Sequence, residues 1–340
     1  MRNAFKSPPF LIGFMFIAIL LFSSILNGFI YGEEIIQENT RYNSEGEAIS
    51  SAPFPPSLAH PLGTDTDGYD LAHIIIHGAK YTLGAAICVS IGRVFISLFL
   101  SLIVTLYFKR LKHIIKEFSQ SFSFIPSTLF TYFMLVSVVT MSIDGFQFTF
   151  SEQVVFQVFI MTIIAIPSLT LFLSEEMERF YTKPFVDGAK ILGGSRLHVF
   201  KNHIFPYIKP VLFVSFGQNV VNALLILAHL GVLNLFFGGT YISFSPFTPV
   251  EKNSISYEWS GLIGSYLPLV ATDPWIPLVP VLFFALSSIA IQLCIVGYQS
   301  SIDSNQNLKI SKTSRKNELK EKEKHIQVKE SDFKSVKQNV

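Results

Sequence analysis

A few polar residues inside long apolar segments are the first candidates for chemistry in this chain. Arg93 is the only charged residue in any of these segments, so it must face a partner, water or backbone carbonyls. Gln218, Asn222 and His229 follow at helical offsets of 0, 4 and 11, within about 40° of one face. Such residues can line a translocation path, but they also join membrane helices by hydrogen bonds. The residue types alone leave both interpretations open.

A second candidate is the basic stretch KPFVDGAKILGGSRLHVFKNHIFP, residues 183–206, which lies between two apolar segments. Pro184 suits the first turn of a helix. Phe185, Ala189 and Leu192 recur at helical spacing and predict a narrow apolar stripe. The stretch therefore begins as a short helix.

The same stretch predicts a sharp bend after that helix. Gly193 and Gly194 should end it, because glycine accepts the left-handed conformation that closes many helices. Ser195 can cap a second helix that runs toward Pro206. Small residues such as Gly188 would let another surface approach closely. The residues leave open whether this is an amphipathic loop on the membrane or a docking element.

The elements that must position these residues are predicted to be membrane helices. Charged residues make up only 15% of the chain and its mean hydropathy is +0.45, which disfavours a soluble domain of this length. A bilayer core needs about 20 apolar residues per helix. We read the first apolar segment as a retained span, since it is too long for a signal peptide. Six segments qualify: 10–31, 81–108, 122–143, 154–174, 211–237 and 276–299. The predicted fold class is an all-α integral membrane protein with six transmembrane helices.

The distribution of Lys and Arg predicts the orientation of these spans. Four basic residues lie in 109–116, six in 179–209 and ten after residue 303, whereas the opposite loops carry Arg41, Lys80 and Lys252. The chain is therefore expected to be a multi-pass protein of the cell membrane with both termini in the cytoplasm. The basic stretch then lies on the cytoplasmic side, between spans four and five, and Trp259 and Trp275 suit the membrane interface.

We divide the chain into three regions. Residues 1–80 form the first span and an extracytoplasmic loop, and residues 81–300 form a core of five spans. Residues 301–340 form a basic cytoplasmic tail that is expected to be disordered or loosely helical, and that can contact anionic membrane lipid. Cys88 and Cys294 match no metal or disulfide spacing and are interpreted as small core residues.

Several kinds of chemistry are not supported by the sequence. The chain has no phosphate-binding loop and no Gly-Lys dipeptide, so ATP hydrolysis would need another subunit. No carboxylate lies within the six segments to act as a proton relay. Asp65, Asp67 and Asp70 invite a calcium interpretation, but glycine comes too early for an EF-hand and a structural turn fits better. We predict no catalytic residue, no metal site, no cofactor and no binding of nucleic acid.

The basic stretch resembles the EAA loop of ABC importer permeases, in which E-A-A is followed by glycine and then by I-x-L-P. In that family the loop forms a helix that docks on a separate ATPase subunit. The resemblance implies an ATPase-coupling role for these residues. This sequence departs from the family by Asp for Glu, Gly for Ala and Phe for Leu. The matching positions are Asp187, Gly188, Ala189, Gly193, Ile204, Phe205 and Pro206.

Two further stretches resemble the C-type permeases of dipeptide, oligopeptide and nickel importers. The segment HPLGTDTDGYDLAHIIIHGAKYTL is similar to the family's pattern before the second span, with Tyr69 where the family has arginine. Trp259-Ser260-Gly261, followed by Pro274-Trp275, resembles the family's pattern before the last span. The matching positions of the first segment are Gly63, Thr64, Asp65, Gly68, Asp70, Gly78, Ala79 and Leu83.

The resemblance implies a permease subunit of an ATP-driven importer, which translocates di- or oligopeptides. It implies three kinds of protein partner: a second permease subunit, two ATPase subunits and an extracytoplasmic substrate-binding protein. Arg93 is specific to this chain, because the family usually has a small apolar residue there. Nickel or another small solute is an alternative cargo, and a membrane scaffold that recruits a soluble partner is an alternative function.

Overall fold

A computed structural model describes residues 5, 7–32, 34–42, 47–243 and 251–302 of the chain. The predicted tail, residues 301–340, lies outside the described residues after position 302. The helices, in chain order, are α1 (Pro8–Tyr31), α2 (Leu71–Leu106), α3 (Lys109–Ser123), α4 (Ser127–Val139), α5 (Phe150–Tyr181), α6 (Pro184–Ile191), α7 (Arg196–Val199), α8 (Phe205–Val232), α9 (Trp259–Tyr266) and α10 (Trp275–Ile302).

Helix α2 is the central element, with α1, α5, α8 and α9 packed around it. Its contact with α5 runs along small polar residues, which allow membrane helices to approach closely. The Ser97 hydroxyl donates to the carbonyl of Ile166 at 3.4 Å, and the hydroxyls of Thr105 and Ser174 lie 3.1 Å apart. The two helices are therefore joined by hydrogen bonds along their length.

Five of the predicted spans are long apolar helices in the structure. They are α1, α2, α5, α8 with the turns that precede it, and α10. These helices agree with an all-α membrane protein, which confirms the predicted fold class. Helix α2 begins well before the predicted start of the second span, because Asp70 caps it by accepting a hydrogen bond from the backbone of His73 at 2.9 Å.

The third span differs from the prediction. We expected one helix over 122–143, with Pro126 inside it. In the structure Pro126 lies at the N-cap of α4, and α4 has only 13 residues, about 20 Å in length. The segment before it, α3, is bent by 83° relative to α4. Proline cannot continue the preceding helix, so the chain turns there. Helices α3 and α4 are long and apolar enough to form a span only when they are taken together.

Residues on the predicted extracytoplasmic side form a folded layer, which we call the outer layer. It consists of 34–42, 47–70, 234–243 and 251–274, with hairpins Thr40–Tyr42/Ala48–Ser51 (β1–β2) and Thr240–Ser243/Glu251–Ser254 (β3–β4). Trp259 was expected at the lipid interface. It is instead fully buried in the outer layer, where its indole N–H donates to the carbonyl of Ile75 at 2.9 Å. A buried indole needs such an acceptor.

Candidate functional site

The basic stretch forms the predicted helix, bend and second helix. Helix α6 begins at Pro184, and Gly193 adopts a positive φ of 84° just after its end. The Ser195 hydroxyl accepts a hydrogen bond from the backbone N–H of His198 at 3.3 Å and so caps α7. The local conformation predicted from proline, glycine and serine is confirmed.

The face by which α6 packs differs from the predicted stripe. Val186 is its buried residue, and it lies in an apolar cluster with Met177 near the end of α5, Val199 in α7 and Ile208 near the start of α8. Phe185 is partly exposed beside Tyr207, with ring centroids 5.3 Å apart. One valine thus anchors α6 to the membrane helices.

The rest of α6 presents an apolar surface that this chain does not cover. We call Gly188, Ile191, Leu192 and Gly193 together the α6 surface. Ile191 is 85% exposed and Leu192 is 89% exposed. A Cβ added at either glycine would meet no atom within 4 Å among the described residues. Two large apolar side chains next to open glycine backbone are suited to contact with another protein.

Asp187 lies on the solvent-exposed side of α6, and its carboxylate is paired with the Lys190 ammonium at 2.9 Å. Ala189 is partly buried and its carbonyl accepts from the N–H of Gly194 at 3.1 Å. Both residues therefore shape α6 and its bend. Any contact they make with another subunit stays a prediction.

Pro206 marks the entry into α8. Residues Phe200–Ile204 form a π-helical turn directly before it, in which the N–H of Phe205 donates to the carbonyl of Phe200. Because proline has no N–H, the regular helical bond cannot form at this point. Widened turns of this type occur often at functional sites. The turn sets the direction of α7 relative to the start of α8.

Arg93 is completely buried and joins three helices. Its guanidinium donates twice to the carbonyl of Met161 in α5, at 3.0 and 2.7 Å. It also donates to the side-chain oxygen of Asn222 in α8 at 2.9 Å, and more weakly to that of Asn219 at 3.4 Å. All these acceptors are neutral, and within the described part of the chain no carboxylate lies within 4 Å of Arg93. The structure therefore brings Arg93 and Asn222 together.

Arg93 and Asn222 also lie in the wall of a cavity of about 450 Å³. The cavity opens between α3, α4, α5 and α8, next to the bend at Pro126 and to Pro167, which lies inside α5. Its remaining wall is mainly aromatic and aliphatic. A mostly apolar cavity with a few convergent polar groups is the common form of a small-molecule site.

Gln218 and His229 do not join this pair. Both are exposed on the face of α8 that also carries Asn222, as their spacing predicts. Gln218 lines a separate surface depression with Glu176 and Gln299. His229 lies 3.4 Å from the hydroxyl of Thr128 at the start of α4. The three residues thus share a face of α8 without contacting one another.

In the outer layer the carboxylates of Asp65 and Asp70 accept hydrogen bonds from donors of this chain. Asp65 accepts from the backbone N–H groups of Asp67 and Tyr69 and from the Tyr266 hydroxyl at 2.9 Å. Burial raises the pKa of Asp65 to about 6, against the effect of these hydrogen bonds. Asp70 caps α2 and lies 2.7 Å from the ring of His60. The G-T-D segment is thus a turn that holds the end of α2.

The two segments that resemble C-type permeases meet in this layer. A Cβ at Gly63, whose φ is 81°, would come within 3.0 Å of the Trp275 indole, and one at Gly78 would collide with the backbone of Tyr257. Glu258 is fully buried, and burial raises its pKa. Its carboxylate accepts from the N–H groups of Phe237, Ser260 and Gly261. Distant parts of the sequence form one structural unit here.

Three features around Arg93 and helix α3 were not predicted from the sequence. The carbonyl of Met161 could not be identified as a partner of Arg93, because backbone groups leave no mark in the residue types. The cavity depends on the bend at Pro126, whereas the sequence predicts one span over 122–143 that contains this proline. The amphipathic helix α3 did have a signal, since Leu111, Ile114 and Phe118 recur at helical spacing among basic residues.

Two comparisons with known proteins bear on this arrangement. The family described as binding-protein-dependent transport system inner membrane component matches residues 93–306. The chain is also similar to the peptide transport system permease proteins SapC of Salmonella typhimurium and Salmonella typhi. Each is 22% identical over 307 residues, which cover 88% of this chain and 92% of the relative.

Proposed function

The chain belongs to the family of inner membrane components of binding-protein-dependent transport systems, and from this we propose that it is the permease subunit of an ATP-driven peptide importer. Membership accounts for the multi-pass helical fold and implies a substrate-binding protein, an ATPase and another permease as partners. Peptide as the cargo is supported by the SapC proteins, whose name states peptide transport.

The observation that carries the proposal is the α6 surface, in the matched region. It is apolar, exposed and backed by an anchored valine, so a force applied to it would reach α5 and α8 through Val186. The chain has no phosphate-binding loop of its own. We therefore assign ATP hydrolysis to a separate ATPase that docks here through Asp187, Gly188, Ala189 and Gly193, with Pro206 setting the direction of the following helix.

We place the translocation path along the exposed face of α8 and the adjoining cavity. Gln218, Asn222 and His229 would supply polar groups along this face, and a second permease subunit would close it on the other side. Arg93 holds Asn222 in position at the wall of the cavity. A mostly apolar wall with few polar groups suits peptides of varied side chains, because it makes few specific demands on them.

We also propose that the α6 surface faces the cytoplasm and the outer layer faces away from it. The support is the excess of Lys and Arg around α3, α6 and α7. Single cysteines at 195 and 255, in a variant without Cys88 and Cys294, test this orientation. A membrane-impermeant reagent should label 255 and not 195, and labelling of 195 from outside would reverse the assignment.

Transport by the reconstituted system tests the function itself. The chain, its partner permease, the ATPase and the binding protein are placed in vesicles, and ATP-dependent uptake of a labelled peptide is measured. The double variant Ile191→Ser/Leu192→Ser should lose uptake and release the ATPase during purification. Ile143→Ser is the matched control, because Ile143 is also 89% exposed but lies in the loop between α4 and α5. Peptide uptake that does not need ATP would contradict the proposal.

A further inference from the structure

A basic pocket of about 610 Å³ lies where α2, α3, α5 and α6 meet. We call it the basic pocket. It is separate from the cavity at Arg93 and from the α6 surface. Its aromatic residues are Tyr107, Phe108 and Tyr181, and the Lys190 ammonium lies 4.1 Å from the centre of the Tyr181 ring. Three cationic side chains, from three different segments, line it: Arg110, Lys190 and Arg196.

The charges around this pocket do not balance within the chain. Lys190 pairs with Asp187 at 2.9 Å and also donates to the carbonyl of Tyr181 at 3.1 Å. Arg196 donates to the carbonyl of Leu106 at 2.7 Å, the last residue of α2. Arg110 is exposed. Asp187 is the one carboxylate paired with these three cations among the described residues, so the pocket keeps an excess of positive charge.

The position of the pocket points to the surface of the bilayer. Helices α2 and α5, both long enough to span a membrane, end at Leu106 and Tyr181 in its wall. Tyrosines at such ends are typical of the membrane–water boundary. Helix α3 leaves the pocket with Leu111, Ile114 and Phe118 exposed. An amphipathic helix with an exposed apolar face and basic residues lies in the plane of the interface.

We propose that the basic pocket binds the phosphate headgroup of an anionic phospholipid, whose acyl chains lie along the exposed apolar residues of α3. Arg110, Lys190 and Arg196 surround the phosphate, since basic pockets between helices at the cytoplasmic side attract such headgroups. The volume of the pocket falls within the range of known ligand sites. This site goes beyond the proposed transport function and is tested without it.

Binding of the lipid has a consequence for α6. Lys190 belongs to α6, forms an ion pair with Asp187 and also lines the basic pocket. A phosphate in the pocket competes with Asp187 for Lys190, so the lipid changes the charge that α6 presents to its surroundings. The composition of the membrane would thereby act on the segment that carries the α6 surface.

The test compares lipid binding in nanodiscs. The full chain is placed in phosphatidylcholine discs with or without phosphatidylglycerol, and bound lipid is counted by native mass spectrometry after release. Wild type should retain phosphatidylglycerol in preference to phosphatidylcholine. Arg110→Gln/Lys190→Gln should weaken this retention by about 10- to 30-fold, from the contribution of each basic residue near an anionic surface. The single variant Arg110→Gln, which keeps the contacts of Lys190, should show a smaller loss and guards against misfolding.

The control removes the same charge outside the pocket. Lys183→Gln/Lys201→Gln changes two exposed lysines on the same side of the protein and should bind phosphatidylglycerol like wild type. Equal losses in both double variants would overturn the proposal, because binding would then follow net charge alone. Displacement of the lipid by millimolar inorganic phosphate would also overturn it, and would assign the pocket to a free anion.

Discussion

The outer layer and the α6 surface are both built from segments that connect membrane helices, but they differ in how their groups are satisfied. In the outer layer Asp65, Asp70 and Glu258 are buried and accept hydrogen bonds from this chain. At the α6 surface, by contrast, Ile191 and Leu192 are exposed and the glycines border open space. The buried carboxylates of the outer layer are thus satisfied by donors of this chain, whereas the apolar side chains of the α6 surface are not covered by it.

This difference separates buried groups that hold the fold of the subunit from exposed groups that are open to a partner. Buried carboxylates are costly unless every oxygen is satisfied, so the outer layer tolerates little change. An exposed segment held by one buried valine can change its outer side at little cost to folding. We therefore expect mutations of the buried carboxylates in the outer layer to destabilise the fold, and mutations of the α6 surface to affect assembly. The predictions below run from the largest expected loss in the free energy of unfolding to a small expected gain.

The largest effect is expected for Glu258→Ala. It leaves the buried N–H groups of Phe237, Ser260 and Gly261 without an acceptor, at about 1–3 kcal/mol for each unsatisfied donor. A loss of at least about 3 kcal/mol in the free energy of unfolding should follow, measured by denaturant titration in detergent. Glu152→Ala is the matched control, since Glu152 also caps a helix but is exposed. Equal losses for the two variants would refute the contrast between buried and exposed caps.

Gly193→Val comes next. The φ of 84° at Gly193 is strained for any β-branched residue, at roughly 1–3 kcal/mol. The bend between α6 and α7 should shift, while the membrane helices stay folded. The measurement is ATPase retention during purification, together with the yield of monodisperse permease. Gly193→Asn, which tolerates this conformation better, should retain more ATPase. Normal retention with valine would show that the bend plays no part in docking.

Arg93→Leu tests the membrane helices between the outer layer and the α6 surface. The change removes hydrogen bonds to Met161 and Asn222, but it also removes a buried charge that costs roughly 2.5–3.5 kcal/mol. These contributions oppose each other, so the stability should change by about 1 kcal/mol or less. Uptake should fall, because Asn222 loses the group that positions it at the cavity. A variant that transports like wild type would make Arg93 a structural residue only.

The outer layer and the α6 surface also differ in how much of their structure could be predicted from the sequence. Pro184, Gly193 and Ser195 act on their own backbone, so the course of the α6 segment followed from residue types alone. The environment of Trp259 did not, because it depends on Ile75 and Thr82, which are far away in the chain. The break at Pro126 was not predicted for a related reason. Proline is tolerated inside a membrane helix but also ends helices, and the residue type alone does not distinguish the two cases. Local conformation was predictable, and long-range contacts were not.

A smaller, pH-dependent effect is expected at His60. Its two ring nitrogens lie 2.7 Å from Asp70 and 2.6 Å from Glu38, so both must carry a proton to donate. Burial opposes the charge, but hydrogen bonds to Glu38 and Asp70 raise the pKa of His60 above 6.5. The same contact, with Arg41, lowers the pKa of Glu38 below 4.5.

The contact is therefore complete between about pH 4.5 and 6.5. Its stabilisation is lost as the pH rises through the raised pKa of His60, and also as the pH falls through the lowered pKa of Glu38. Hydrogen exchange of residues 34–42, corrected for intrinsic rates, should increase between pH 6 and pH 8.5. In His60→Gln most of that increase should vanish. Asp65, whose pKa is about 6, is still present in His60→Gln. If hydrogen exchange increases fully in that variant, the effect belongs to Asp65 and not to His60.

The sharpest test of the comparison is Gly188→Ala, which is expected to stabilise the isolated chain slightly. Gly188 is helical and a Cβ there meets no atom within 4 Å among the described residues, so alanine fits the isolated chain. Because alanine is the better helix former, the free energy of unfolding should rise by up to about 1 kcal/mol. If an ATPase packs closely against Gly188, the same methyl group should reduce ATPase retention and peptide uptake. Gly84→Ala provides the control, because Gly84 also lies within a helix and its added Cβ would meet no atom of the described residues within 4 Å. Its retention should match wild type. A stability gain with unchanged retention in Gly188→Ala would mean that no partner approaches α6 closely at this residue, and the α6 surface would then be limited to Ile191, Leu192 and Gly193.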